Sequence, residues 1–332
     1  MTQRAKVGMI GLRGYGNIVR RGLKACKKLK LAAIWSRDPE SEKRSQEELP
    51  SKACESYDAL LAEPLNGVLI INPNWLHVEY GLAAAAAGKS ILIEKPITNT
   101  VAEAKELIAA FRKAGKLLAV KHLHRFGPAM RKIRDLVQSG ELGQILSLES
   151  YTSHSSSKNF PPDRWKRDPV KCPAAPLTQL AVHYIDTAMS FFGPPVWVQS
   201  AHRNVLELSE NVDCTVTTIG YGDIPATFHA HYVVPSYQRV AVYGTEGVVV
   251  HDEAGLRLKR EGADGFEPVE LPQVPGEGGL VEVLDAYGEA LLTGAPFETT
   301  GAESMLVVAA AEAAIKSAAE GGRRVEIAEV MG

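Results

Sequence analysis

The chain has 332 residues, 45% of them hydrophobic, and a formal net charge of −2 at pH 7. This length is sufficient for two domains with a large core. The balanced charge gives no attraction toward nucleic acid or an anionic membrane, and no apolar run approaches the ~20 residues that would span a bilayer.

Two further features concern the cellular compartment. The first residues lead directly into a predicted strand, so we expect no signal peptide. The four cysteines are scattered, without the spacing of metal ligands. We therefore expect reduced thiols, a cytoplasmic protein and no metal site.

A glycine-rich loop, G-x-x-G-x-G, follows the first predicted strand at residues 6–10 and precedes a helical pattern at residues 17–28. Glycines in this context allow the backbone to approach a pyrophosphate, and the helix N-terminus offers free N–H groups to that anion. The alternative is a glycine-rich turn without a ligand. The predicted nucleotide contacts here are Gly11, Arg13, Gly14, Tyr15, Gly16 and Asn17.

The second predicted strand, residues 29–35, ends at Ser36-Arg37-Asp38. An acidic residue at this position would bind the ribose diol of NAD, whereas Ser36 and Arg37 suit a 2′-phosphate. Arg13 would add a second positive charge or stack on the adenine. NADP is therefore favoured, although Asp38 can still reach the ribose of NAD. Alternatively, Arg37 is a solvated turn residue.

Further apolar strands are predicted at residues 67–72, 90–95 and 116–121, and helices alternate with them. This alternation predicts a parallel sheet that is covered on both faces. Polar residues follow these strands on the side where open α/β sheets bind ligands. The candidates there are Asn72, Pro73, Asn74, His77, Glu94, Lys95, Lys121 and Arg125.

The strand at residues 90–95 ends in a charged pair, Glu94-Lys95, directly before Pro96. A lysine at the carboxyl end of a parallel strand points into the ligand crevice. Proline lowers the cost of a cis bond to about 0.5–1 kcal/mol, and such a bond would change the direction of the lysine. The alternative is a solvated Glu-Lys pair before a helix.

The pattern changes after residue 122, so we predict a nucleotide-binding domain at 1–122 and a substrate-binding and oligomerisation domain at 123–332. The second domain contains a polar segment at residues 153–176 and a helix around His183. Strands without intervening helices follow, among them one at residues 214–221, which predicts a largely antiparallel sheet. Two Ala-rich helices, 283–292 and 304–319, are candidates to cover it. Because they are too few to cover both faces, we expect a homodimer or homotetramer.

Taken together, these motifs resemble the Gfo/Idh/MocA oxidoreductases, which include glucose-fructose oxidoreductase and inositol dehydrogenase. The resemblance implies an α/β protein with an N-terminal Rossmann domain and an open, mostly antiparallel C-terminal sheet. It also implies NAD(P)-linked oxidation or reduction of a sugar or cyclitol hydroxyl. Besides the glycine loop, the matching motifs are PNWLH at 73–77, EKP at 94–96, RF at 125–126, HYID at 183–186 and YGTEG at 243–247.

The resemblance assigns the candidate catalytic residues by position. Lys95 matches the lysine that hydrogen-bonds the reacting oxygen, and His183 matches the histidine that exchanges its proton. Many members carry an aspartate four residues before that histidine, but this chain has Gln179, and Ala181 stands where glycine is frequent. Glutamine can hydrogen-bond, but it lacks the charge that would raise the pKa of the histidine.

Residues 163–168 are the predicted segment for substrate selection. Trp165 offers a ring face to sugar C–H groups, and Arg167 suits a phosphate or carboxylate, so a nucleotide sugar is a possible substrate. The alternative is a solvated loop with one packed tryptophan. The predicted substrate contacts are Lys95, Arg125, Trp165, Arg167, Gln179, His183 and Asp186.

Two other functions remain open at this stage. One is a regulator of the same fold that binds NAD(P) without turnover, for which the change to Gln179 is an argument and the retained Lys95 and His183 are counterarguments. The other is a redox-assisted glycoside hydrolase, in which a tightly held NAD oxidises the sugar, permits elimination and is regenerated.

Overall fold

The computed structural model describes residues 3–274 and 278–332. The chain forms two compact units. The first contains Met1–Thr98, Ala102–Phe126 and Val274–Met305, and the second contains Asn99–Val101, Gly127–Gln273 and Leu306–Gly332. No helix in the described part of the chain is long and apolar enough to cross a lipid bilayer.

The first unit is built on a parallel sheet, as the alternating pattern predicted. In the described ranges it has six strands in the order β3-β2-β1-β4-β5-β6. The order reverses between β1 and β4, which is where open α/β sheets bind ligands outside the carboxyl ends of their strands. The central strands are fully buried because both faces are covered. The strands are β1 (Ala5–Ile10), β2 (Leu29–Trp35), β3 (Lys52–Ala53), β4 (Gly67–Ile70), β5 (Ser90–Ile93) and β6 (Leu118–Val120).

Helices alternate with these strands. Two of them, α2 and α3, lie in a stretch for which the apolar pattern gave no element, since α2 buries only Ser41 and Ser45. The helices are α1 (Tyr15–Ala25), α2 (Pro39–Glu48), α3 (Tyr57–Ala62), α4 (His77–Ala86) and α5 (Val101–Ala114).

The second unit contains a sheet that is mostly antiparallel, as predicted. Its described strands follow the order β14-β13-β12-β11-β7-β10-β9-β8-β15. The β7–β10 pair is parallel, and the other pairs are antiparallel. The elements after residue 127 are α6 (Pro128–Gln138), β7 (Ile145–Ser153), α7 (Val182–Phe192), β8 (Trp197–Arg203), β9 (Cys214–Tyr221), β10 (Ile224–His231), β11 (Tyr237–Gly244), β12 (Gly247–Asp252), β13 (Gly255–Arg260), β14 (Glu267–Pro268), α8 (Leu280–Thr293), α9 (Gly301–Ala319), β15 (Val325–Glu326) and α10 (Ala328–Met331).

The helix predicted at residues 283–292 does not cover the antiparallel sheet, so that expectation was wrong. It corresponds to α8, which packs against α1, β1 and β2 of the first unit. Leu284 and Tyr287 are fully buried in the core of that unit, and Asp285 accepts the backbone N–H of Lys28 at 2.8 Å. Apolar periodicity shows that a helix has a buried face, but it does not show which sheet that face contacts. The later helix, α9, does contact the antiparallel sheet, since Ser317 accepts the N–H of Ser200 in β8 at 2.9 Å.

Candidate functional site

The glycine loop follows β1 directly and leaves no space for a side chain at Gly11 or Gly16. A Cβ on Gly11, which has φ +82°, would lie 2.3 Å from the carbonyl carbon of Ile71, and a Cβ on Gly16 would lie 2.0 Å from the oxygen of Gly11. Gly14 faces open space, and α1 begins after it without a side-chain cap. The helix N-terminus therefore has no side-chain cap at the loop, as the binding of a dinucleotide pyrophosphate there would require, and that contact stays a prediction.

Arg20, which the sequence analysis missed, supports this loop from inside. Its side chain is buried, and its guanidinium donates to the Leu12 carbonyl and to the Asn17 side chain, both at 2.7 Å. Its Nε lies 3.3 Å from Glu48 Oε2. The arginine therefore ties α1 to the loop that precedes it. The signal in the sequence is a charged residue among the inward positions of an amphipathic helix.

The end of β2 has the polar residues that were predicted to recognise the adenosine ribose. Ser36 accepts the N–H of Asp38 at 3.1 Å, and Arg37 is exposed. Arg13 of the glycine loop lies 3.2 Å from the carboxylate of Asp38. The acidic residue that was considered for the ribose of NAD is thus paired with an arginine.

His77 is the first residue of α4 and is fully buried. One ring nitrogen is 2.9 Å from the Asn72 carbonyl oxygen, and the other is 3.0 Å from that of Pro96. Burial lowers the pKa of His77, whereas the hydrogen bonds to these carbonyl oxygens act in the opposite direction. The histidine therefore joins the segment after β4 to the segment after β5, and its predicted contact with the nucleotide stays a prediction.

The carboxyl ends of β5 and β6 carry a buried ion pair. Lys121 Nζ lies 2.8 Å from Glu94 Oε1, and the lysine side chain is fully buried. The Lys95 backbone N–H donates to Glu94 Oε2 at 3.2 Å, and the Lys95–Pro96 bond is cis. The Lys121 ammonium also lies 4.4 Å from the centroid of the Tyr15 ring. The structure therefore brings together residues from the glycine loop and from two strand ends.

Arg125 and His122 follow β6 and are both buried. The Arg125 guanidinium lies 3.4 Å from the carboxylate of Glu303, so it contributes to the framework of the first unit. Burial, followed by the positive charges of Arg125 and Lys95, holds the pKa of His122 well below its usual range. The role of Arg125 toward a substrate stays a prediction.

In the second unit, the predicted catalytic segment begins with a π-helical turn, Leu177–Ala181, which continues into α7. Single π-helical turns are frequent at functional sites. Gln179 lies in this turn and is buried, and His183 lies half-buried at the start of α7. Asp186 is fully buried, so its side chain has no surface to offer a substrate here. Lys95 belongs to the first unit and these residues belong to the second.

The segment before this turn is held mainly by backbone contacts. Arg167 donates to the carbonyl oxygens of Phe160 and Leu208, so its guanidinium anchors the segment. Trp165 packs against a buried cluster that includes Tyr232. Asn211, which the sequence analysis did not single out, donates to the carbonyls of Lys166 and Cys172 at 2.9 and 2.7 Å. The substrate roles predicted for Trp165 and Arg167 remain predictions.

Comparison with known proteins identifies both parts of the chain. Residues 5–122 match the model of the oxidoreductase family with an NAD-binding Rossmann fold, and residues 130–250 match the GFO/IDH/MocA C-terminal domain. The chain belongs to the GFO/IDH/MocA oxidoreductase family. The predicted family, the Rossmann domain for NAD(P) and the oxidoreductase class are therefore confirmed.

Relatives with named activities align with most of the chain. Scyllo-inositol 2-dehydrogenase (NADP(+)) from Bacillus subtilis is 26% identical over 76% of this chain and 76% of its own length. Levoglucosan dehydrogenase from Pseudarthrobacter phenanthrenivorans is 27% identical over 80% of this chain and 81% of its own. The solved aldose-aldose oxidoreductase from Caulobacter crescentus, complexed with glycerol, is 26% identical with a TM-score of 0.88, covering 97% of this chain and 99% of that one.

Proposed function

We propose that this chain transfers a hydride between NADP and a hydroxyl-bearing carbon of a sugar, cyclitol or nucleotide sugar. The observation that carries the proposal is that two candidate segments lie at the same edge of the parallel sheet, the edge formed by the carboxyl ends of its strands. The glycine loop follows β1 and Lys95 follows β5, on the side of the sheet where such folds bind ligands. Family membership and the activities named for the relatives support the substrate class.

The proposed chemistry divides between the nucleotide and the protein. The nicotinamide, when bound, accepts or donates the hydride. Removing a hydride from a carbinol carbon also requires removal of the hydroxyl proton, and Lys95 and His183 would share this task. The Lys95 side chain would also stabilise the developing negative charge on the oxygen. Gln179 would orient His183 or the substrate by hydrogen bonding without adding charge.

The structure supports a division of the remaining candidates into contacts and positioning residues. Gly11, Gly14 and Gly16 would hold the pyrophosphate, whereas the buried His77 and Asp186 would position their neighbours. The guanidinium of Arg167, which was predicted to bind an anionic group of the substrate, already donates to backbone carbonyls. We propose that Trp165 contributes an apolar face to this segment, and that Arg167 keeps the segment in place.

The preference for NADP rests on the end of β2, because Asp38 is paired with Arg13 while Arg37 is exposed. Replacing Arg37 with alanine should weaken NADP binding by ~1.5–3 kcal/mol, as expected for a lost charged hydrogen bond, and leave NAD binding nearly unchanged. Fluorescence titration of the reduced nucleotides measures both affinities. Arg44→Ala removes the same charge from an exposed site on α2 and serves as the control. Equal losses for both cofactors, or tighter binding of NAD by the parent, would contradict the preference.

We also propose that the second unit forms a homodimer or dimer of dimers through the open face of its sheet. That face carries a partly exposed aromatic group, in which the Tyr151 ring lies 5.1 Å from His231 and 5.7 Å from Tyr237. Sedimentation at micromolar concentration should therefore show an oligomer near pH 7.5. Burial already lowers the pKa of His231 in the single chain, and an interface over this face would bury the ring further, so the neutral ring would be favoured in the assembly. Acidification below about pH 6 should promote dissociation. A monomer at both pH values would exclude this assembly.

A screen of the purified protein against sugars, cyclitols and nucleotide sugars, with NADP and NAD separately, tests the proposed reaction. Formation of the reduced nucleotide with at least one compound is the expected result. Strong NADP binding without turnover of any compound would favour the regulator. A nucleotide that survives purification, together with cleavage of a glycoside and no reduction of added NADP, would favour the glycoside hydrolase.

A further inference from the structure

Lys121 and Glu94 form the most deeply buried ion pair near Lys95 in the described part of the first unit. The Lys121 side chain is 0% exposed and that of Glu94 is 11% exposed, with 2.8 Å between Nζ and Oε1. Removing one partner of such a pair leaves an uncompensated buried charge, which is strongly unfavourable. Each charge is therefore maintained by the other, and neither side chain is accessible enough to be a contact for substrate.

The pair is connected directly to Lys95. Glu94 binds Lys121 through Oε1, and its Oε2 accepts the backbone N–H of Lys95 at 3.2 Å. Lys121 extends the connection to the glycine loop, because its ammonium lies 4.4 Å from the Tyr15 ring centroid. One carboxylate thus lies between a buried cation and the backbone of the proposed catalytic lysine.

Other titratable groups lie near the pair. His77 of α4 interacts with Glu94, and His122 interacts with Lys95 and Lys121. Burial lowers the pKa of both histidines, and that of His122 lies well below its usual range. Tyr15, His77, Lys95 and His122 each interact with a member of the pair, and Arg125 and His124 act on it through His122, on which their positive charges bear.

We infer that Lys121 is a positioning residue whose ion pair with Glu94 sets the electrostatic environment of the Lys95 side chain. The inference rests on the proposed function only where it concerns turnover. The paired carboxylate and ammonium have no net charge, so Lys95 can give up its proton without a neighbouring uncompensated anion. The Glu94 carboxylate of the same pair also accepts the backbone N–H of Lys95.

Single substitutions in the pair should shift the protonation of Lys95 in opposite directions. Lys121→Met leaves the Glu94 carboxylate uncompensated, and a nearby negative charge favours the protonated form of Lys95. Glu94→Gln leaves the Lys121 ammonium uncompensated, which favours the neutral form. The double variant removes both charges and should restore the parental behaviour, and Lys121→Arg should keep it.

The test measures Lys95 itself, without a substrate. The rate at which acetic anhydride acetylates Lys95 is followed against pH by mass spectrometry in the parent and the four variants. We expect the midpoint to move up by about 0.5–1 pH unit in Lys121→Met and down by a similar amount in Glu94→Gln, and to return in the double variant.

Stability and turnover then separate this role from a purely structural one. Both single variants should unfold at lower temperature, and the double variant should recover. On any substrate found in the screen, the pH profile of kcat should move as the acetylation midpoint does. Midpoints that stay at the parental value, or that move in the same direction in both single variants, would overturn the inference.

The experiment distinguishes a variant that does not fold, a failure of this inference and a failure of the proposed function. If Lys121→Met does not fold, Glu94→Gln and the double variant still give a shift and its reversal. If no compound is turned over while the acetylation midpoints move as expected, the charge-setting role stands and the proposed reaction fails.

Discussion

Replacing Lys95 with alanine should reduce turnover by about 10²–10⁴-fold, the usual contribution of a positioned acid–base group. NADPH affinity and the unfolding temperature should stay close to those of the parent. The expected selectivity has a structural reason, because the loop that fits the pyrophosphate follows β1 whereas Lys95 follows β5. Steady-state kinetics on a substrate from the screen, combined with NADPH titration and thermal unfolding, measure the three quantities.

The control and the partner variants define how Lys95 acts. Lys113→Ala removes an exposed lysine from α5 and should leave kcat unchanged. His183→Ala should also reduce kcat strongly. The loss of kcat in the double variant with Lys95→Ala should be smaller than the product of the two single losses if both residues act on one proton. Gln179→Ala should reduce kcat much less than these two substitutions if this residue only orients its neighbours. Parental turnover in Lys95→Ala would remove this lysine from the active site.

Replacing Gly16 with alanine should reduce NADP affinity at least 100-fold, about 2.7 kcal/mol. The new Cβ would lie 2.0 Å from the carbonyl oxygen of Gly11, and only a shift of the loop backbone can relieve that contact. The shift would displace the N–H groups that fit the pyrophosphate. Fluorescence titration with NADPH measures the loss, and circular dichroism verifies that the sheet and helices persist.

A matched substitution on the same helix isolates the effect of the loop. Lys24 is exposed on α1, so Lys24→Ala changes the helix without contacting the glycine loop and should bind NADPH as the parent does. If Gly16→Ala binds NADPH with parental affinity, the pyrophosphate is not held by this loop, and the proposed orientation of the whole cofactor is wrong.

The strands that contain continuous apolar runs were predicted well from the sequence. The structure places β2 at Leu29–Trp35 and β9 at Cys214–Tyr221, with the same limits as the predicted strands. In each case the apolar or alternating pattern ends in turn residues, so burial alone defines the limits. The glycine loop could be predicted equally well, because the residues that require glycine lie close together in the sequence.

Features that depend on partners distant in sequence could not be predicted. The helix α2 has almost no apolar face, so its sequence gives no periodic signal. The contacts of Arg20 with Leu12 and Glu48 exist only after α1 and α2 have packed. The parallel pairing of β7 with β10 could not be predicted either, since the alternation of buried and exposed residues is the same in parallel and antiparallel strands.

The same limit applies to the site. The order of Glu94, Lys95 and Pro96 indicated a functional strand end, and the structure places it beside the glycine loop's Tyr15 through Lys121. His77 was predicted as a nucleotide contact because it follows a strand end. Its carbonyl partners lie in segments that are separated in sequence, so only the folded chain shows that it joins them.

The most direct test of the central claim follows the hydride itself. A substrate from the screen is prepared with deuterium on the carbon that bears the reacting hydroxyl, and the nucleotide is analysed by mass spectrometry after reaction with NADP. The account predicts that the parent transfers deuterium to the nucleotide, and that Lys95→Ala binds NADP but transfers deuterium at least 100-fold more slowly. A product that forms while the nucleotide never acquires deuterium, or equal transfer by both proteins, would contradict it.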